Sequence, residues 1–217
     1  MFYTEKKPTL LNTYLIYISI NEIINKKLPM GGRVIMSDET KEKLVDAALK
    51  LFAEEGYVGT KTRIIAHEAG FSEMTLFRKF KTKENLFNAV LVQNQEKILN
   101  DFDSIFLNDD FENIRDFLES LINELVDVIE NNYDYVNVFL NERCRITETI
   151  IEAFIKHLGE YIHKHSSNVK VDYQVLAFTF LAFTYFLIFN EYRGRQSLNR
   201  EEAIERFIDH SVMILES

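Results

Sequence analysis

The sequence predicts an all-α protein: a three-helix head near the N-terminus, then a larger helical body. Three observations carry this. Apolar residues recur at helical spacing through most of the 217 residues, and no stretch alternates convincingly as a half-buried strand would. Helix-capping residues stand in front of successive periodic segments. Only two prolines and seven glycines interrupt the chain, which excludes collagen-like and linker-rich readings. A hydrophobic content of 47% supplies a buried core. The single cysteine, Cys144, excludes an internal disulfide framework and a Cys-based zinc cluster, and points to the cytoplasm.

Residues 1–35 differ in character from the rest of the chain. Pro8 to Asn21 is uncharged and rich in Ile, Tyr and Leu behind Lys6 and Lys7. It is too short to span a bilayer, and Asn12, Thr13 and Asn21 interrupt it without a small-x-small cleavage site, so it makes a poor signal peptide. Met36 opens a helical pattern directly, and Gly31-Gly32-Arg33 is what a purine-rich ribosome-binding site would encode. Residues 1–35 are therefore expected to be a non-native extension.

From Ser37 the elements succeed one another closely. Ser37 or Asp38 caps a helix whose apolar face is Leu44, Ala47, Ala48, Leu51 and Phe52, and Gly56 ends it in a left-handed turn. Thr60 has the chemistry to cap a second helix, TKTRIIAHEA, buried through Ile65, Ala66 and Ala69. Gly70 supplies a tight turn, where a side chain would also clash. Ser72 caps a third helix, EMTLFRKF, with Leu76 and Phe80 inward, and Thr82 caps a fourth beginning KENLFNAVL. Further helices are expected up to Phe106 and over 110–130, 133–143, 147–164, 172–192 and 199–215, with a head domain over 36–98 and a body over 99–217.

Charge is unevenly placed. The chain carries −9, yet Thr60 to Lys83 holds six basic residues (Lys61, Arg63, Arg78, Lys79, Lys81, Lys83) against Glu68 and Glu73, a local +4 that leaves −13 elsewhere. Either a basic solvated face or an electrostatic footprint for nucleic acid has this form. Ala66 and Gly70, four apart between two short helices, complete a helix-turn-helix pattern whose third helix turns Glu73, Met74, Thr75, Arg78 and Lys79 off the core.

The stretch AALKLFAEEGYVGTKTRIIAHEAGFSEMTLFRKFKTKENLFNAVL, Ala47 to Leu91, resembles the tetracycline-repressor (TetR) family of transcription regulators. The match runs in register through Phe52, Gly56-Tyr57, Thr60, Ile65-Ala66, Ala69-Gly70, Ser72, Thr75-Leu76, Phe80 and Lys83-Glu84. It covers about a fifth of the chain by motif; the body matches only in helix number and length. The resemblance implies a double-stranded operator contacted by Thr60, Lys61, Thr62, Ser72, Glu73, Met74, Thr75, Phe77, Arg78, Lys79 and Lys83. Within that set, Thr60, Lys61 and Lys83 stand at phosphate-contacting positions. Glu73 either accepts from a cytosine or favours its own helix dipole, and Arg78 grips either phosphate or guanine. Phe77 replaces the family's usual Tyr, losing a phosphate bond worth about 0.5–1.5 kcal/mol. Lys79 replaces a usual His, Met74 a common Gly, and Ile64 an acidic residue.

In the body, Tyr173 to Asn190 is eighteen uncharged residues, long enough for a membrane span. Its scattered Gln174, Thr179, Thr184 and Asn190 favour instead a helix buried on all sides, with no membrane partner. By resemblance the last two helices form a homodimer interface, and the body holds a pocket for a small apolar or aromatic effector. Eighteen Phe and ten Tyr make an aromatic lining available. The pocket candidates are Phe106, Phe117, Phe139, Phe154, Tyr161, Phe178 and Tyr185, with Asn137, Glu142 or Arg145 as polar anchors; each is also accounted for by ordinary core packing. His157, Glu160 and His163 share a loose helix face and read as solvated rather than metal-binding. No nucleophile elbow, phosphate loop, paired catalytic carboxylates or HExxH is present, so neither an enzyme nor a cofactor is expected. The leading expectation is a ligand-released repressor. The alternative, favoured by Phe77 and the acidic surface, is a small-molecule-binding protein whose helix-turn-helix no longer reads an operator.

Overall fold

The computed structural model describes residues 38–108, 110–141, 145–166, 168, 170–195 and 198–217. The 1–35 extension, the Ser37 cap, Glu142 and Cys144 lie outside the described residues, as does the side chain of Arg145. Among the described residues are nine helices and no strand: α1 (Glu39–Gly59), α2 (Thr62–Glu68), α3 (Glu73–Phe80), α4 (Lys83–Ile105), α5 (Ile114–Asn131), α6 (Tyr133–Asn141), α7 (Arg145–His165), α8 (Tyr173–Tyr192) and α9 (Arg200–Glu216).

The chain forms two compact units. One takes the described residues up to Leu99 together with Asn132–Thr147, and the other takes Asn100–Asn131 and Glu148–Ser217. A linear reading assigns α6 to the body. Its contacts lie with the head instead: the buried Asn137 Nδ2 donates to the Ala53 carbonyl at 2.7 Å, and Val138 joins the head's core.

In the first unit, Leu44, Ala48, Phe52, Ile65, Leu76 and Leu86 are all but fully buried around one core. Each large apolar side chain so buried contributes roughly 1.5–3 kcal/mol. Gly56 breaks α1 at φ 72°, ψ 166°, a conformation essentially restricted to glycine. Thr60 does not cap α2. Its hydroxyl turns back to donate to the Gly56 carbonyl at 2.7 Å, which also accepts from Thr60 N at 3.2 Å, with Leu51 O a second acceptor at 3.0 Å. The chain then runs extended to Lys61, and α2 starts only at Thr62.

In the second unit, Asn113, Asp172 and Asn199 cap α5, α8 and α9 by accepting from Asp116, Gln174 and Glu202 amides, each at 3.0 Å. Arg200 bonds Glu130 at 2.7 Å and Glu191 at 3.1 Å, fastening α9 to α5 and α8. Gly194, at φ 65°, closes α8 with amide bonds from Gly194 to Glu191 O and from Arg195 to Asn190 O.

By length and composition α8 could cross a membrane, with a mean hydropathy of 1.5. Within one chain it is not buried on all sides. Leu176, Ala177, Phe180, Thr184, Leu187 and Ile188 form one buried stripe, while Val175, Phe178 and Phe186 are each more than half exposed. The apolar excess therefore lies on an uncovered face.

Gly159 packs where α7 meets the start of α8: a Cβ there would lie 2.9 Å from the Tyr173 carbonyl oxygen. Backbone cannot yield as a flexible side chain can. Gly159→Ala is expected to lower stability by about 1–3 kcal/mol in urea denaturation, despite alanine's better helix propensity. Gly70→Ala, where φ is 78° but nothing lies within 4 Å, is expected to cost about 1–2 kcal/mol from conformation alone. An unchanged or raised midpoint for Gly159→Ala would contradict the close approach.

Candidate nucleic-acid interface

The interface is built on the corner between α2 and α3. Ala69 ends α2, Gly70 takes φ 78°, and two amides fold back, Gly70 N to His67 O at 3.0 Å and Phe71 N to Ala66 O at 2.8 Å. This is a Schellman closure, with Phe71 packed against the core that holds Ala66. A Cβ on Gly70 would meet nothing, so the expected clash is absent. The backbone conformation alone selects glycine. Ser72 then caps α3 by accepting from Thr75 N at 3.2 Å. Leu76 and Phe80, one turn apart, anchor α3 in the core, so its other side faces outward.

On that outer side Met74 is 80% and Phe77 41% exposed, and Arg78 is exposed beside them. Several polar candidates already have partners inside the protein. Thr62 Oγ1 donates to Glu73 Oε1 at 2.7 Å, tying the start of α2 to the start of α3. Ser72 and Thr75 hydroxyls bond each other at 3.0 Å. Lys79 Nζ bonds Asp38 Oδ2 at 2.5 Å across 41 positions of sequence. Lys83 Nζ donates to the Tyr57 carbonyl and stands 4.5 Å from the Tyr57 ring centroid. The Thr60 side chain is buried, its hydroxyl taken up by the Gly56 and Leu51 carbonyls. Lys61 and Arg63, at the start of α2, and Lys81, after α3, are exposed. Sequence patterning misses the Asp38–Lys79 and Tyr57–Lys83 pairs because nothing local signals contacts of such separation.

Lys81 holds φ 68° after the last residue of α3, the one positive φ outside glycine among the described residues. Such a conformation costs of order 1–3 kcal/mol. Thr82 comes next and caps α4 by accepting from Asn85 N at 3.0 Å.

The family model for bacterial regulatory proteins of the tetR family matches residues 44–90, the segment that contains this corner and both helices. Over those residues the chain is similar to the TetR family. It is 29% identical over 137 residues to the uncharacterised HTH-type transcriptional regulator YvkB of Bacillus subtilis, across 62% of this chain and 65% of that protein. The chain spans less than two thirds of the length of the curated relatives it matches. The solved fatty acid degradation regulator FadR of Bacillus halodurans shares the fold at a TM-score of 0.60 and 14% identity, over 81% of this chain and 95% of that one. FadR of Bacillus subtilis, solved with stearoyl-CoA, gives 0.56 and 14%, over 77% and 95%.

The pocket candidates do not converge. Phe106, Phe117 and Phe154 do meet in the second unit. Phe106 lies 6.1 Å from Phe154 and 5.1 Å from Tyr161, and Phe117 lies 5.4 Å from Tyr161. Asn137 and Phe139 belong to the first unit, on α6, where Asn137 is committed to Ala53. Phe178 is exposed on α8, and Tyr185 packs with Phe186 and Phe189. His157 is not on a freely solvated face: its ring lies edge-on to Phe106 at 4.5 Å. A groove of about 370 Å³ between α8 and α9 is floored by Phe183, Phe186 and Phe207, and its lining includes none of the pocket candidates.

The hydrogen bond from Lys79 holds the Asp38 carboxyl below its ordinary range, with the lysine charge adding to the effect. A depressed folded value means the pair stabilises above the unfolded value of about 3.9, and that contribution is lost as pH falls through the lower folded one. Carboxyl NMR titration is expected to show Asp38 low in the parent and raised toward the ordinary carboxylate range in Lys79→Met. An ordinary value in the parent would refute the pair.

Proposed function

We propose that this chain is a cytoplasmic, homodimeric transcription regulator that binds a double-stranded operator and is released from it by a small molecule. The observation that supports it is α3, anchored by Leu76 and Phe80 and turned out by the Gly70 corner, with Lys61, Arg63, Arg78 and Lys81 exposed at the start of α2 and the end of α3. A helix so presented suits the B-DNA major groove, and cations around it suit phosphates. The proposed contact set is the sequence-derived one, with Lys61 and Arg78 reaching DNA directly, Thr62, Ser72 and Glu73 fixing the corner, and Thr60 fastened to α1. Lys79 and Lys83 would exchange Asp38 and Tyr57 for phosphate on binding. The head over 36–98 is proposed to bind DNA and 99–217 to serve dimerisation and effector binding, α6 being lodged with the head.

The dimer is proposed through α8 and α9, whose exposed Phe178, Phe186 and Met213 fit burial against a second copy. Two copies would present two recognition helices to two half-sites. The effector is proposed to be small and apolar or aromatic, entering by displacing the Phe106–Phe117–Phe154 aromatics, with a coupling of roughly 1–3 kcal/mol to the DNA-bound state. No enzymatic step is assigned.

Band-shift titration is expected to show affinity falling steeply with salt, log K dropping about 0.9 per phosphate contact per decade. Lys61→Ala is expected to weaken every duplex alike and reduce that slope, whereas Arg78→Ala changes sequence preference. Salt-insensitive binding, or none at low salt, would favour the reading in which the helix-turn-helix no longer serves an operator. Screening apolar ligands, a long-chain acyl-CoA among them, against the protein–duplex complex is expected to find one that weakens it by about fivefold to a hundredfold; a screen in which no ligand releases the duplex speaks against effector control.

A further inference from the structure

Resting on the operator reading, we propose that this protein reads its half-site through thymine 5-methyl groups, with Met74 as the specificity-determining residue and Phe77 beside it. The outer side of α3 has an unusual composition for a helix meant to enter a groove. Of its side chains, Glu73 is bonded to Thr62, Thr75 to Ser72 and Lys79 to Asp38. What projects outward is Met74 at 80% exposure, Phe77 at 41%, and Arg78. Met74 and Phe77 are three apart and Met74 and Arg78 four apart, so all three share one helix face.

Two apolar side chains can neither donate to nor accept from a base edge. In the major groove the apolar group on offer is the thymine methyl; the remaining base-edge features there are hydrogen-bond donors and acceptors. Exposed cations stand on the same two short helices and their ends, Lys61 and Arg63 at the start of α2 and Arg78 and Lys81 at the end of α3, and they suit a polyanionic occupant rather than an apolar protein surface. Methionine's unbranched chain suits a methyl whose position varies with local groove geometry.

The test uses the full chain and a duplex it selects itself from a random pool. Each thymine of the selected half-site is replaced singly by deoxyuridine, which removes the 5-methyl and keeps the O4 acceptor. At one or two positions the affinity is expected to fall roughly fourfold, the worth of one apolar carbon taken from water. Met74→Ala, at a position too exposed to disturb folding, is expected to weaken the thymine duplex and to erase the thymine–deoxyuridine difference at one of those positions. Lys61→Ala is expected to leave that difference intact. A selected site whose affinity no deoxyuridine changes, or a difference that survives Met74→Ala and Phe77→Leu, overturns the methyl readout while operator binding stands. Enrichment of no duplex overturns the operator reading as well.

Discussion

Gly70 holds φ 78° in a space where a Cβ would touch nothing, and the rest of the interface depends on it. A Cβ fits there by volume; few L-residues would hold the conformation. Because Gly70 and Phe71 amides close on His67 and Ala66, α2 stops in a defined geometry and Ser72 arrives placed to cap α3. Leu76 and Phe80 can then share the core with Ile65 and Ala66, and the opposite side of α3 must face solvent. Straightening the corner would swing Leu76 from the core and turn Met74 and Arg78 away from the cations around them.

Local chemistry is legible in the sequence, and distant chemistry is not. The Gly70 turn and the Ser72 and Thr82 caps come from residues within a few positions of each other, and the structure has each of them, while Gly56 takes the expected positive φ but kinks α1 at ψ 166° instead of ending it in a left-handed turn. Thr60 passes for the cap of α2 in sequence because a threonine before a helical run has two available bonding geometries. The Gly56 and Leu51 carbonyls behind it win. At Gly70 the sequence predicts the conformation correctly and the space wrongly. Asn137 looks like a body residue by position in sequence, and nothing short of the fold can show that its amide answers Ala53, 84 positions earlier.

Helix α8 shows why composition alone misleads about burial. A helix apolar on every side is expected to be enclosed, yet a single chain covers one stripe and leaves Phe178 and Phe186 in water. Hydrophobicity reports what a helix will bury in its final assembly, not what one chain supplies. The aromatic residues of the body illustrate the same limit: their abundance suggests a lining, but only Phe106, Phe117 and Phe154 of the Phe candidates gather, and they do so as packed rings.

The strained turn at Lys81 carries a consequence for how this surface tolerates change. Glycine would sit at φ 68° without penalty, so keeping a lysine there forgoes stability in return for an ammonium beyond the last turn of α3. Selection for folding alone would drift toward the smaller residue, and selection for a charged rim would resist it. Among variants of this protein, the balance between those two pressures can be read from that one codon.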